Sequence, residues 1–327
     1  MHESRTQLRK WTRIALALGL LGAGVLCWGG CAGRGAKMPA QVPTGVLDTT
    51  AVLEVAPTPA PLRAGVLTTW TLRLRDRKSG EVLTKFDIVH EKKLHLLITA
   101  RDLSWFNHIH PELQPDGRWI VEFALPRPGT YRLYADYTRA GGQHEVLGLD
   151  VTTSEPEAAA MGAATLVPDV LDGQGFMSRS VQAIPESHPE AIGGDGYTVK
   201  LMPMPSYIIA KQPVMLHAMV LDAQAKPVED LEPYLGAMGH CVTLSEDGSR
   251  FLHSHPMGDS SMAAMPGMGN MPSMTAVDST MLAHPHGPTV MFHTQFPRGG
   301  RYTLWLQFQH HGAIIVARFV LDVRDTR

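Results

Sequence analysis

Apolar and polar residues alternate with a period of two through most of the chain after residue 50. From Arg301 to Phe308, Tyr302, Leu304, Leu306 and Phe308 fall on one face and Thr303, Trp305 and Gln307 on the other. From Thr130 to Tyr137, Tyr131, Leu133, Ala135 and Tyr137 repeat the pattern. Turn-forming clusters punctuate these runs: Pro115-Asp116-Gly117, Pro128-Gly129, Ala140-Gly141-Gly142 and Glu246-Asp247-Gly248. Short strands at this spacing predict an all-β fold built of sandwiches.

The pattern occurs twice. Leu94-His95-Leu96-Leu97-Ile98-Thr99 leads to Phe106-Asn107-His108-Ile109-His110-Pro111. Gly239-His240-Cys241-Val242-Thr243-Leu244 leads to Phe251-Leu252-His253-Ser254-His255-Pro256. The lone His and the His-x-His are 13 residues apart in both copies. Trp119 to Pro126 then matches Val290 to Pro297, and Gly129-Thr130-Tyr131 matches Gly300-Arg301-Tyr302. A unit this long predicts a duplicated domain rather than a solenoid. Tyr131 and Tyr302, each after a Gly turn, resemble the tyrosine corner of immunoglobulin-like domains. The expected organisation is a sandwich over residues 51–153, a linker over 154–196 that carries Glu-Pro-Glu-Ala-Ala-Ala, and a second sandwich over 197–327. A loop at 256–289 lengthens the second copy, where the first has only Pro111 to Arg118.

The N-terminus has a different character. Arg5, Arg9, Lys10 and Arg13 precede a glycine-containing apolar stretch from Ile14 to Trp28, which reads as an export signal over residues 1–30. Trp28-Gly29-Gly30-Cys31 resembles the lipobox of bacterial lipoproteins, which implies lipidation of Cys31 and a Gly/Pro/Ala tether over 31–50. The formal net charge is −2, and no basic cluster suggests a nucleic-acid partner. With Cys31 acylated and the signal removed, Cys241 is the one remaining thiol. Disulfides and cysteine-based zinc sites are thereby excluded.

The candidate chemistry is imidazole and thioether. His108 and His110 share one face of a strand, as do His253 and His255. His95 and His240 lie within reach on a neighbouring strand, so each copy offers three imidazoles, enough for a copper or zinc site. In the long loop, Met262, Met265, Met268, Met271 and Met274 recur every third residue, flanked by Met257, His284 and His286. Pro266, Gly267, Gly269 and Pro272 exclude a helix, and a polyproline-II path would align the five sulfurs along one edge. Thioethers with imidazoles select soft copper, above all Cu(I), with Cu(II) acceptable at the histidines. Zinc leaves the methionines unexplained. His293 adds a further candidate ligand, whereas His217, alternating with Met215 and Met219, reads as a structural histidine in a core strand.

These residues, with the Gly-x-Tyr strand, resemble bacterial secreted YtkA-like and FixH-like proteins, an immunoglobulin-like group. The Met/His loop resembles those of periplasmic copper-handling proteins. The resemblance implies a sandwich fold and an exported location. The expectation is therefore a non-enzymatic, lipid-anchored envelope protein that buffers copper, confers copper tolerance or passes the metal to an envelope transporter or chaperone. The alternatives are a copper-dependent redox enzyme and a structural or adhesion lipoprotein that binds protein partners without metal.

Overall fold

The protein is described by a computed structural model over residues 44–46, 50–155, 166–180, 196–256 and 289–326, in which every regular element is a strand. A three-residue strand, β1 (Thr44–Val46), falls within the stretch expected to be tether and joins the second sandwich. The first sandwich comprises β2 (Ala51–Thr58), β3 (Thr68–Asp76), β4 (Leu94–Ala100), β5 (Phe106–Ile109), β6 (Glu112–Leu113), β7 (Arg118–Phe123), β8 (Thr130–Thr138) and β9 (His144–Thr152). Its two sheets have the orders β2-β3-β7-β6 and β5-β4-β8-β9. This is the immunoglobulin-like arrangement, with the first, second, sixth and fifth strands in one sheet and the late hairpin in the other.

The second sandwich repeats it with β10 (Met177–Ser180), β11 (Thr198–Met204), β12 (Ile208–Ile209), β13 (Pro213–Leu221), β14 (His240–Ser245), β15 (Arg250–Ser254), β16 (Thr289–Gln295), β17 (Gly300–His310) and β18 (Ala313–Arg324). The sheets are β10-β11-β13-β16 and β1-β15-β14-β17-β18-β12. The chain is thus all-β, two immunoglobulin-like sandwiches in tandem. Strand β10 lies inside the expected linker and pairs with β11. Asp169 also ties this stretch to β18, its N–H donating to the Val320 carbonyl at 2.8 Å and its carboxylate accepting from the Val320 N–H at 2.7 Å. The long Met/His loop, Cys31 and the export signal lie outside the described residues.

The tyrosine corners form as the Gly-x-Tyr motif implies. The Tyr131 hydroxyl donates to the Arg127 carbonyl at 2.8 Å, and Tyr302 donates to Arg298 at 2.9 Å. The preceding Gly129 and Gly300 sit at φ of 144° and 129°, a region that a side chain would strain. Each sandwich has its own apolar centre: Trp70, Leu96, Trp119 and Leu133 in the first, and Leu216, Phe292, Leu304 and Phe319 in the second. The core side of β13 is Val214, Leu216, Ala218 and Val220. Met215, His217 and Met219 take the opposite face of this core strand, where His217 and Met219 are buried as well.

A third apolar cluster joins the two sandwiches within the unit Met38–Arg327. All seven residues of β4 and all six of β14 are buried, because the outward face of each strand is covered by the other domain. Phe106 stacks on Trp305 with ring centroids 4.9 Å apart. At the equivalent place in the repeat, Phe251 stacks on Tyr134 at 5.4 Å. Leu97, Val146, Val242 and Val316 fill the space around them. The four sheets form one stack of layers, with the two late-hairpin sheets face to face in the middle.

Truncating a fully buried aromatic costs about 3–5 kcal/mol. Trp305→Ala is expected to lower the free energy of unfolding in urea by about that amount and to broaden or split a single transition as the sandwiches separate. A variant as stable as the parent would show that the stacked contact does not hold the domains together.

Candidate metal centre

The two His-x-His motifs, expected as one site per domain, meet in a single centre between the domains. His95 lies on β4, His108 on β5 and His110 just past its end. His240 starts β14, His253 lies on β15 and His255 just beyond. Rings from the two domains interleave: His108 lies 5.3 Å from His240 and 5.2 Å from His253, and His95 lies 5.2 Å from His253, centroid to centroid. The ligand atoms of His95, His108 and His110 lie within 4.8 Å of one another, as do those of His108, His240 and His253.

Hydrogen bonds decide which nitrogens are free. His95 Nε2 lies 3.0 Å from the Val89 carbonyl and His240 Nε2 lies 2.8 Å from the Tyr234 carbonyl. A carbonyl only accepts, so Nε2 carries the hydrogen in both, and Nδ1 of the neutral ring presents a lone pair. These carbonyls come from matching hairpin turns. His90 and Glu91 hold positive φ in one, and Leu235 and Gly236 in the other. His253 Nδ1 donates to Asp136 Oδ2 at 2.9 Å, and His108 Nδ1 donates to Gln307 Oε1 at 2.9 Å. Both bonds cross the domain boundary, and Asp136 and Gln307 occupy equivalent places, each paired in register with its own domain's first histidine. Nε2 of neutral His108 and His253 is left with a lone pair.

Lone pairs therefore converge: His95 Nδ1 faces His108 Nε2 at 3.1 Å and His240 Nδ1 faces His253 Nε2 at 3.4 Å, while His110 Nε2 lies 3.0 Å from His95 Nδ1. Two nitrogens each ~2.0–2.1 Å from a tetrahedral metal stand roughly 3.3 Å apart, so these separations fit chelation. The other ring nitrogens of His95, His108, His240 and His253 are held by a carbonyl, an amide or a carboxylate, as metal-bound imidazoles require. Among the described residues, His255 Nε2 and His90 Nδ1 are buried without a hydrogen-bond partner, and the two rings stack with centroids 3.4 Å apart.

The electrostatics favour the unprotonated form of His90, His95, His108, His110, His240 and His255. Burial, reinforced by the neighbouring His253, pushes His95 down to about 4. Burial with His95 and Lys92 nearby pushes His110 to about 2. Burial lowers His90, His108, His240 and His255 as well. Asp136 is the local anion. Burial opposes its charge, but hydrogen bonds from His144 and His253 hold its carboxyl well below the usual range. Burial likewise opposes protonation of His144, and its contact with Asp136 raises it nonetheless. Asp136 and Gln307 are absent from the sequence expectations. Their signal is a polar residue at the same repeat position on a face that covers another sheet.

His293 stands apart from this centre, on the outward face of β16. Met257, Met262, Met265, Met268, Met271, Met274, His284 and His286 lie outside the described residues.

Lowered histidine pKa values link stability to pH. An unfolded chain takes up protons near the ordinary value of 6.5, while folded His95 resists them to about 4, so stability is lost as the pH falls between those values. His144 acts in the opposite sense, and the six lowered rings outweigh it. Urea unfolding of the metal-free protein at pH 7 and pH 5 is expected to show lower stability at pH 5, and equal stability would contradict the neutral-imidazole assignment. Asp136→Asn is expected to destabilise the fold by about 1–3 kcal/mol and to weaken metal affinity roughly 10- to 100-fold, read by calorimetric titration.

In comparisons with solved structures, the chain is similar to the Escherichia coli adhesin FdeC, with 16% identity over 83% of this chain and 63% of that one at a TM-score of 0.23. It is also similar to invasin, a bacterial integrin-binding protein, with 13% identity over 85% and 40% at a TM-score of 0.22. Salmonella alpha-2-macroglobulin gives 11% identity over 88% and 16% at 0.23. The chain spans less than two thirds of each of these molecules, and scores this low carry no argument about function. No curated protein matches in sequence. The profile of the family described as Domain of unknown function (DUF8832) matches residues 49–155 and 190–325, most of the chain, and the protein belongs to that family.

Proposed function

We propose that this is an exported, lipid-anchored metal-binding protein that holds copper between its two sandwiches and serves to buffer it or pass it to an envelope partner. The observation that carries the reading is the set of converging imidazoles, with His95, His108, His240 and His253 each fixed in its tautomer by an outer partner. Facing lone pairs about 3 Å apart repel unless a cation lies between them, and burial makes a proton a poor choice. Neutral imidazoles suit Cu(II), Zn(II) and other borderline ions. Copper is favoured over zinc because the same chain carries the methionine-rich stretch with Met262, Met265, Met268, Met271 and Met274, whose thioethers suit Cu(I). Nitrogen ligation for one oxidation state and sulfur for the other gives a route for exchange with a transporter or chaperone. The export signal and Cys31 support an envelope location.

The test is a titration of the mature protein with Cu(II) and Zn(II) under a competing chelator, alongside metal analysis of protein taken from its native compartment. The parent is expected to carry copper and to bind Cu(II) tightly. His95→Gln with His240→Gln is expected to lose at least 100-fold in affinity while keeping the fold. Protein that emerges metal-free and ignores both ions would overturn the reading.

A further inference from the structure

The outward face of β11, β13 and β16 has a composition that a solvated sheet face does not explain. In the antiparallel register, Met202 stands opposite His217 and His217 opposite Met291. One step along, Met204 stands opposite Met215 and Met215 opposite His293. Met219 occupies the next row, between Lys200 and Thr289. Their strand neighbours Leu201, Leu216, Ala218, Val290 and Phe292 form the core, so these side chains share the opposite face. Directly opposed residues have Cβ atoms about 4.5–5.5 Å apart, within reach of a flexible thioether.

The first sandwich supplies an internal control. Its equivalent strands β2, β3 and β7 carry Glu54, Thr69, Thr71, Arg73, Arg75 and Glu122 outward, the ordinary polar cover of such a sheet. On the same face of the same fold, the second copy has five methionines and two histidines. His217 is only 7% exposed on this face.

We propose that this face is a second metal site, specific for Cu(I), with Met202, His217 and Met291 as one two-sulfur, one-nitrogen ligand set and Met204, Met215 and His293 as another. Two thioethers and one imidazole select a soft monovalent ion over Zn(II). The site is distinct from the histidine centre, since it lies on the other sheet of the second sandwich. It rests on the copper reading only for the identity of the ion. The strand that carries Met291 and His293 follows directly on the methionine-rich stretch in sequence, so the two sets of sulfurs are covalent neighbours.

The experiment is an anaerobic Cu(I) titration of the full mature protein against a chromophoric Cu(I) chelator, with X-ray absorption at the copper edge. Met→Leu conserves volume, so a variant combining Met202→Leu, Met204→Leu, Met215→Leu and Met291→Leu keeps its fold, checked by circular dichroism. It is expected to lose two equivalents of Cu(I) and to retain Cu(II) binding at the histidine centre. A variant with the five loop methionines replaced is expected to keep those two equivalents, with both sulfur and nitrogen seen around the copper. If the four-leucine variant binds Cu(I) with parental stoichiometry and affinity, the proposal fails whatever the histidine centre does. If the parent binds Cu(II) at the histidines but no Cu(I), the face proposal fails while the centre stands. If His217→Phe and His293→Phe leave the copper spectrum unchanged, the assigned ligand sets are wrong.

Discussion

The two late-hairpin sheets are pressed face to face, and everything at the centre follows from that burial. A polar ring taken from water costs several kcal/mol unless its hydrogen bonds are replaced. Each sheet therefore has to satisfy the other's imidazoles. The replacement is crossed: Asp136 of the first domain accepts from His253 of the second, and Gln307 of the second accepts from His108 of the first. The paired stacks Phe106–Trp305 and Phe251–Tyr134 hold the sheets at the separation these bonds need. Neither sandwich alone could keep His108 or His253 in these tautomers.

Duplication made this arrangement possible, and divergence gave it direction. The hairpin turns before β4 and β14 place a carbonyl against the first histidine in both copies. One turn carries His90 and the other Leu235 at the same left-handed position. The first copy contributes the carboxylate, Asp136, where the second has the neutral Gln307. The second copy contributes sulfur: its outward sheet face is methionine and histidine where the first has arginine, threonine and glutamate. The nearly symmetric scaffold thus carries unequal chemistry on its two halves, a hard anion on one side and soft donors on the other.

Much of the fold was legible in residues. Alternation along Arg301–Phe308 and Thr130–Tyr137 marks strands because side chains in a strand point to opposite faces, and both runs fold as β17 and β8 with the expected face inward. The Gly-x-Tyr pairs mark tyrosine corners because that turn needs a positive φ followed by a reaching hydroxyl. The histidine spacing repeats because the hairpin β4–β5 repeats as β14–β15. Periodicity could not tell which of two faces meets water. It placed Met215, His217 and Met219 in a core-like strand, and β13 is one, with Val214, Leu216, Ala218 and Val220 toward the apolar centre and these three on the other face.

What the chain determined by itself was local: strand, turn, repeat, and the kinds of donor atom available. Those depend on neighbours a few residues away. The tertiary structure decided that two three-histidine sets are one centre, and that Asp136 and Gln307 orient it. Those residues lie as far as 199 positions apart in sequence, and nothing in local periodicity encodes how one sandwich lies on another. That choice was made by the apolar faces of Leu97, Val146, Val242 and Val316, which have no other surface to bury against.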